Sequence, residues 1–237
     1  MYFIYDLETS GLPEYTEQKG YYPPRDFEKY NKSRVVQISW IILNKDLEII
    51  DKQNHIIKPD GWVMDEENIA IHGVSNERAH SNGILFQELS EILRSNAQYI
   101  KTIVAHNVYF DYNVLQAEFH RYGEQDMAVI FNVTRKYCTM ARGKELFMLP
   151  KNPKLKELYT MLYDEEITHE HDAEYDTLHC YKCFLVMKNM PDRSPEQIMQ
   201  HKKDTRYHHK RPATTQDNEA SPSKKRGLFF LKDEGST

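Results

Sequence analysis

The sequence predicts an α/β domain built on a mixed sheet flanked by helices. Two observations carry this. The first third of the chain holds three strand-like segments linked as an antiparallel meander, and from about residue 66 helical periodicity takes over, interrupted by a short apolar strand. A third observation sets the extent of the domain: beyond Pro191 apolar periodicity fades into Lys, His, Pro, Ser and Thr.

In chain order, Tyr2 to Tyr5 is an apolar run that reads as a buried strand ending in DLETSG. The next stretch, GLPEYTEQKGYYPPRDFEKYNKSR, is rich in Gly, Pro, Tyr and charge and reads as a long surface loop over 12–34. Val35 to Leu43 is apolar enough for a central strand, and Ile49 to Lys58 continues the meander through a turn at Asn44 to Asp46. Residues 66–95 contain two helical patterns, the second being FQELSEILRS. Ile103 to Ala105 is a short strand, and YFDYNVLQAEFHRYG an amphipathic helix stopping at Gly123. LKELYTMLY is a further helix and Ala173 to Met187 the last, with Leu178, Leu185 and Val186 expected in the core. The expected division is a domain over residues 1–190 and a basic, disordered tail over 191–237.

With 237 residues the chain has room for one α/β domain with a real core. Its net charge of -5 is unevenly spread. Residues 1–192 hold 21 Lys and Arg against 30 Asp and Glu, a balance of -9, whereas residues 193–237 hold 10 against 6, a balance of +4. An acidic body does not exclude a polyanionic substrate, because metal ions offset ligand carboxylates locally. Cys138, Cys180 and Cys183 are too few for a disulfide framework, and Cys180 and Cys183 lack the second pair that zinc would need. No run approaches the roughly 18 apolar residues of a membrane span, so the expectation is a soluble, intracellular protein, cytoplasmic or nuclear, with no membrane contact.

Chemistry enters through five residues in three short contexts: Asp6 and Glu8 in YFIYDLETSG, Asp111 in VAHNVYFDYNVL, and His171 with Asp176 in HEHDAEYD. Residues two apart on a strand share a face, so Asp6 and Glu8 project together, and Asp111 falls in the first turn of its helix. Hard carboxylate oxygens gathered in this way suit two Mg²⁺ or Mn²⁺ ions, which keep positions open for water and phosphate. The implied chemistry is phosphodiester hydrolysis. Taken singly, each motif is weak, since an Asp at a strand end or in a first helical turn is usually a cap or a solvated residue.

Together DLETSG, AHNVYFD and HDAEYD resemble the three motifs of the DEDDh exonucleases, the DnaQ-like family that includes the proofreading subunit of bacterial DNA polymerase III. IHGVS at 71–75 and Cys138-Thr139 add to the resemblance, which covers roughly residues 1–190. It implies a ribonuclease H-like fold with a five-stranded mixed sheet and 3′-to-5′ hydrolysis releasing nucleoside monophosphates in proofreading or repair. Asp6 would bridge two ions, Glu8 and Asp176 complete one, and Asp111 serve the other largely through water. His171 would be the general base, a task suited to a side chain that titrates near neutrality. His171 lies five residues before Asp176, as the histidine-type branch requires; the tyrosine-type position, four before, is Asp172. Leu7 and Thr9 would meet the terminal nucleotide, His106, Asn107 and Phe110 would line the path of the strand, and His72 would contact or wedge the terminal base. Tyr109, Phe110 and Tyr112 suit stacking on unpaired bases, so the expected partner is a single-stranded or frayed 3′ end of DNA.

Two other functions compete. A 3′-to-5′ exoribonuclease shares every motif, and a non-catalytic nucleic-acid or clamp-binding module could keep the fold, although all five residues are intact. In the tail, Lys224-Lys225-Arg226 is a basic patch of the nuclear-targeting or phosphate-binding kind, and GLFFLK resembles short aromatic peptides that dock on sliding clamps or polymerases, without their usual glutamine.

Overall fold

A computed structural model describes residues 1–192 except 19 and 168–171, and beyond them only Ser194, Glu196 and Gln200. His171 and the tail segments Lys224-Lys225-Arg226 and GLFFLK, singled out from the sequence, lie outside the described residues. The chain divides into one unit over Met1–Ser194 and another over Pro195–Thr237, and the sheet with its helices belongs to the first.

Five strands form the central sheet: β1 (Tyr2–Thr9), β4 (Val35–Leu43), β5 (Ile49–Ile56), β6 (Thr102–Ala105) and β7 (Arg135–Cys138), in the order β5-β4-β1-β6-β7. β1, β4 and β5 are antiparallel as expected, while β6 and β7 run parallel to β1. The mixed five-stranded sheet flanked by helices is therefore present. β4 is buried along its whole length, and its polar residues are satisfied: Gln37 donates to Asn54 at 2.9 Å and Ser39 to the Gln53 carbonyl at 3.3 Å.

Alternation along β1 gives the sheet two different faces. Phe3, Tyr5 and Leu7, with Ile38, Trp40 and Ile42 opposite them on β4, pack beneath α3 (Phe86–Ala97), α4 (Val108–Arg121) and α5 (Gln125–Val133). Ile4, with Ile41 and Leu43, packs instead on Cys180 and Phe184 of α8 (Ala173–Lys188). α6 (Thr139–Leu146) and α7 (Leu155–Tyr163) close over the far side of α8 through Leu146, Leu158, Leu162 and Met187.

Three expectations change. The segment between β5 and α3 holds α1 (Glu66–His72) and α2 (Asn76–Asn82), so three helices stand where two patterns were read. The buried stripe of α8 is Ala173, Thr177, Cys180, Cys183, Phe184 and Met187; Leu178, Leu185 and Val186 are only half-buried at its flanks. The small residues of this stripe let the helix approach the sheet, which puts the larger ones at the margin. Finally, the segment 12–34 is more than a surface loop. It contains a short hairpin of β2 (Tyr15–Thr16) and β3 (Gly20–Tyr21) and a 3-10 turn over Phe27–Tyr30, and Tyr30 is fully buried with its hydroxyl on the Tyr22 carbonyl.

Arg34 ties this segment to the helices. Its guanidinium donates to both carboxylate oxygens of Glu118 at 2.5 and 3.0 Å and to the Tyr122 hydroxyl at 2.9 Å, and lies against the Trp62 ring. Arg121 stands 3.7 Å from the same carboxylate. Removing one member of a buried pair strands the other's charge, at a cost of about 3–5 kcal/mol, whereas an exposed pair contributes at most about 1 kcal/mol. Glu118→Gln is thus expected to lower the denaturant midpoint by an amount in the first range with an unchanged m value, and Glu14→Gln, which breaks the exposed pair with Lys29, to leave it nearly unmoved.

Candidate active site

The site grows out of the face of β1 that meets α8. Asp6 and Glu8 continue the face begun by Ile4, and on α8 the residues Asp176, Cys180 and Phe184 recur every four positions along one stripe. Packing Cys180 and Phe184 against Ile4 therefore carries Asp176 to the carboxylates of β1. The register is pinned by Thr177, whose hydroxyl donates 3.2 Å to the carbonyl of Ser39, the β4 residue paired with Asp6. Glu174, bonded to Lys52 at 2.7 Å and Asn54 at 3.2 Å, anchors the same turn to β5. Asp172 caps the helix by accepting from the Glu174 N–H at 2.8 Å. The outcome is a trio, Asp6, Glu8 and Asp176, each with a carboxylate oxygen within 4.8 Å of the others.

Asp111 arrives from the opposite direction. β6 ends at Ala105, and Asn107 turns the chain into α4 with φ 71 and ψ 46, a left-handed conformation that asparagine tolerates better than most residues. This places Asp111 in the first turn of α4, 3% exposed, where the Leu7 N–H bonds its carboxylate. It stands outside the trio but close enough that it is the strongest of the carboxylates acting on Asp6.

Burial and mutual repulsion act in one direction on these acids. Asp6 is held well above the usual carboxylate range by desolvation, then by Asp111, Asp176 and Glu8. Glu8 is pushed up to about 8 by burial and by Asp176 and Asp111. Asp111 is also pushed up to about 8 by burial, partly offset by the backbone N–H bonds it accepts. Clustered carboxylates that offer only oxygen, with no Lys or Arg side chain among them in the described residues, are a donor set fitted to a hard divalent ion. Cys180 and Cys183 are buried core thiols in separate clusters, and His179 bonds the Tyr175 carbonyl at 2.7 Å, so that stretch serves packing.

These carboxylates line a cavity of about 870 Å³. Leu7, Thr9, His72, His106 and Phe110 border it; Asn107 does not, its part being the corner before α4. His106 is committed to the scaffold. Its ring nitrogens meet the Thr139 hydroxyl and the Pro153 carbonyl, each at 3.0 Å, and burial lowers its pKa to about 4. His72 is different: Nδ1 accepts from the Val74 N–H at 3.1 Å, which leaves the proton on a buried Nε2 with no partner among the described residues. Tyr112 turns away, bonding Asn132 at 2.9 Å beside Lys136 and lining a second cavity. Trp62, Ile71, Leu12, Asn31 and Lys32 also line the wall. They sit in connections or on an exposed helix face, and no periodicity in the sequence points to them.

The raised pKa values set a pH dependence. A carboxyl with a higher pKa in the folded state keeps its proton where the unfolded chain has released it, so unfolding sheds protons as pH rises from about 4 to about 8. Without divalent ions the protein is expected to lose stability across that window, and Asp6→Asn to flatten the curve and to raise the melting temperature at pH 8. Thermal melts in EDTA across the pH series check this.

Comparison with known proteins gives a consistent result. Among solved structures, E. coli exonuclease I with a 5cy-dT13 oligonucleotide superposes with a TM-score of 0.59 at 18% identity, over 88% of this chain and 44% of that one. The same enzyme with dA16 gives 0.59 at 18%, over 85% and 43%, and its zinc-bound complex with single-stranded DNA 0.58 at 19%, over 87% and 44%. The chain thus spans less than half the length of these proteins, and the likeness is one of fold, the ribonuclease H-like exonuclease fold. No curated protein matches by sequence. Among the described residues no helix is long and apolar enough to cross a membrane. The exonuclease family model, RNase_T, matches residues 3–184, and with that match over most of its length the chain belongs to the exonuclease family.

Proposed function

We propose that the chain is a divalent-metal-dependent 3′-to-5′ exonuclease that removes nucleoside monophosphates from single-stranded or frayed DNA ends, in proofreading or repair. One observation carries the reading: Asp6, Glu8 and Asp176 converge within 4.8 Å, beside buried Asp111, in a cavity with apolar and aromatic walls. The catalytic unit is residues 1–190, with 191–237 as a basic appendage.

Asp6, Glu8 and Asp176 would hold one ion, with Asp6 shared and Asp111 serving a second. Mg²⁺ or Mn²⁺ bound there supplies an acidified water and neutralises charge on the attacking and leaving oxygens. His171, next to the helix cap Asp172, takes the proton of the attacking water as general base. Leu7 and Thr9 seat the terminal nucleotide at the end of β1, and Phe110 offers a ring to its base. The neutral Nε2–H of His72 is a donor waiting for an acceptor, which a sugar or base oxygen satisfies. His106 supports this wall from behind. The motif resemblance to proofreading subunits and the DNA carried by the structural neighbours favour DNA over RNA. The tail segment GLFFLK would recruit a sliding clamp or polymerase, and Lys224-Lys225-Arg226 would suit a nuclear as well as a cytoplasmic setting.

The test is digestion of 5′-labelled single-stranded DNA and RNA with Mg²⁺ or Mn²⁺. Expected is a DNA ladder shortening from the 3′ end, abolished by EDTA, with turnover of His171→Ala reduced by about 10²–10⁴. Faster loss of RNA makes the enzyme an exoribonuclease. Binding without turnover of either polymer makes it a recruitment module.

A further inference from the structure

The connection between β1 and β4 is long, rich in tyrosine and folded to a purpose that the carboxylate site does not use. It leaves the end of β1 through Gly11, where φ is 146 and an added Cβ would lie 2.7 Å from the Lys32 carbonyl, so only glycine permits this close return. Ser10 binds the returning limb three times: its N–H donates to the Arg34 carbonyl and its hydroxyl accepts from the Arg34 N–H, both at 2.9 Å, and the hydroxyl donates to the Lys32 carbonyl at 3.2 Å. Arg34 is itself locked to Glu118. The two ends of the connection are thus rigidly fixed at the lip of the cavity.

Between those ends the hairpin holds an aromatic pair. Tyr15 and Tyr21 face each other across β2 and β3, with ring centroids 5.2 Å apart and planes at 77°. The Tyr21 hydroxyl bonds the Asn107 side chain at the start of α4, which fastens the hairpin beside the helix that carries Asp111. Tyr15 remains 60% exposed and Leu12, on the cavity wall, 76% exposed. Tyr15 thus presents an exposed ring on the hairpin that Tyr21 fastens to the start of α4.

Charge adds an independent observation. The cavity is lined by Asp6, Glu8, Asp65, Asp111 and Asp176, and Lys32 is the one Lys or Arg among its described lining residues. Lys32 is exposed and makes no ion pair among the described residues. A polyanion approaching this acidic mouth meets its positive charge at the same lip that carries Leu12.

We infer that the β1–β4 connection is a platform for single-stranded nucleic acid upstream of the terminal nucleotide, with Tyr15 stacking on a base and Lys32 contacting a backbone phosphate. This rests on the nuclease reading and adds to it the part of the substrate that lies outside the cleavage site. Stacking is tolerant of base identity, so the platform favours unpaired strands of any sequence and rewards length.

The experiment is fluorescence-anisotropy binding of a thymidine trinucleotide and a thymidine nonanucleotide to the full chain, with Ca²⁺ in place of Mg²⁺ to suppress turnover. The wild type is expected to prefer the longer strand. Tyr15→Ala should weaken the nonanucleotide about tenfold and the trinucleotide less than about twofold, with Tyr15→Phe restoring the preference. Lys32→Gln should lower the slope of log affinity against log salt by about 0.7, the share of one single-strand phosphate. Both positions are exposed, so folding is not at stake. Unchanged length preference in Tyr15→Ala together with an unchanged salt slope in Lys32→Gln overturns the platform while leaving the nuclease reading intact. A wild type that binds neither strand and degrades none overturns both.

Discussion

Repulsion among buried carboxylates is the constraint on which this structure turns. Asp6, Glu8, Asp111 and Asp176 reach one place from three separate parts of the chain, and each is raised in pKa by burial or raises its neighbours. Such a cluster opposes folding unless packing holds it or a cation neutralises it. The packing is supplied by the faces of β1: Phe3, Tyr5 and Leu7 seal one side, Ile4 docks α8 on the other, and the acids stand where the second face runs out. Their position is a consequence of strand alternation combined with a four-residue repeat on α8.

The same logic explains why so many polar contacts converge behind the site. Thr177 on Ser39, Glu174 on Lys52 and Asn54, and His106 on Thr139 and Pro153 all fix backbone that carries, or adjoins, an acid. None of these residues needs to meet a substrate. They keep the carboxylates from relaxing apart, which is what preorganisation means for a cation site.

Much of this was legible in the sequence, and what was not has physical causes. β1 and β4 announce themselves as apolar runs, α7 as LKELYTMLY with its boundaries intact, and the spacing of Asp6 and Glu8 fixes their shared face. β7 is invisible because RKYC has four residues, none fully buried, and is defined by parallel pairing with β6. α6 hides behind Gly143, a poor helix former kept where a Cβ would come 2.6 Å from the Leu158 side chain. The stripe of α8 misled because close packing prefers Ala173, Thr177 and Cys180 to the larger leucines beside them. Within the site, Asp6, Glu8, Asp111 and Asp176 could be named from short motifs, whereas Trp62, Leu12 and Lys32 reach the cavity by the course of connections, for which local sequence holds no period.

Calorimetric titration of Mn²⁺ into the metal-free protein at pH 7 measures whether these carboxylates form a cation site. Repeating the titration in two buffers of different ionisation enthalpy counts the protons released. Burial pushes Glu8 and Asp111 up to about 8, which favours protonated carboxyls that a bound cation must displace. Binding coupled to proton release is expected, with both lost in Asp6→Asn. No heat of binding, or binding that survives Asp6→Asn unchanged, would overturn the cation site.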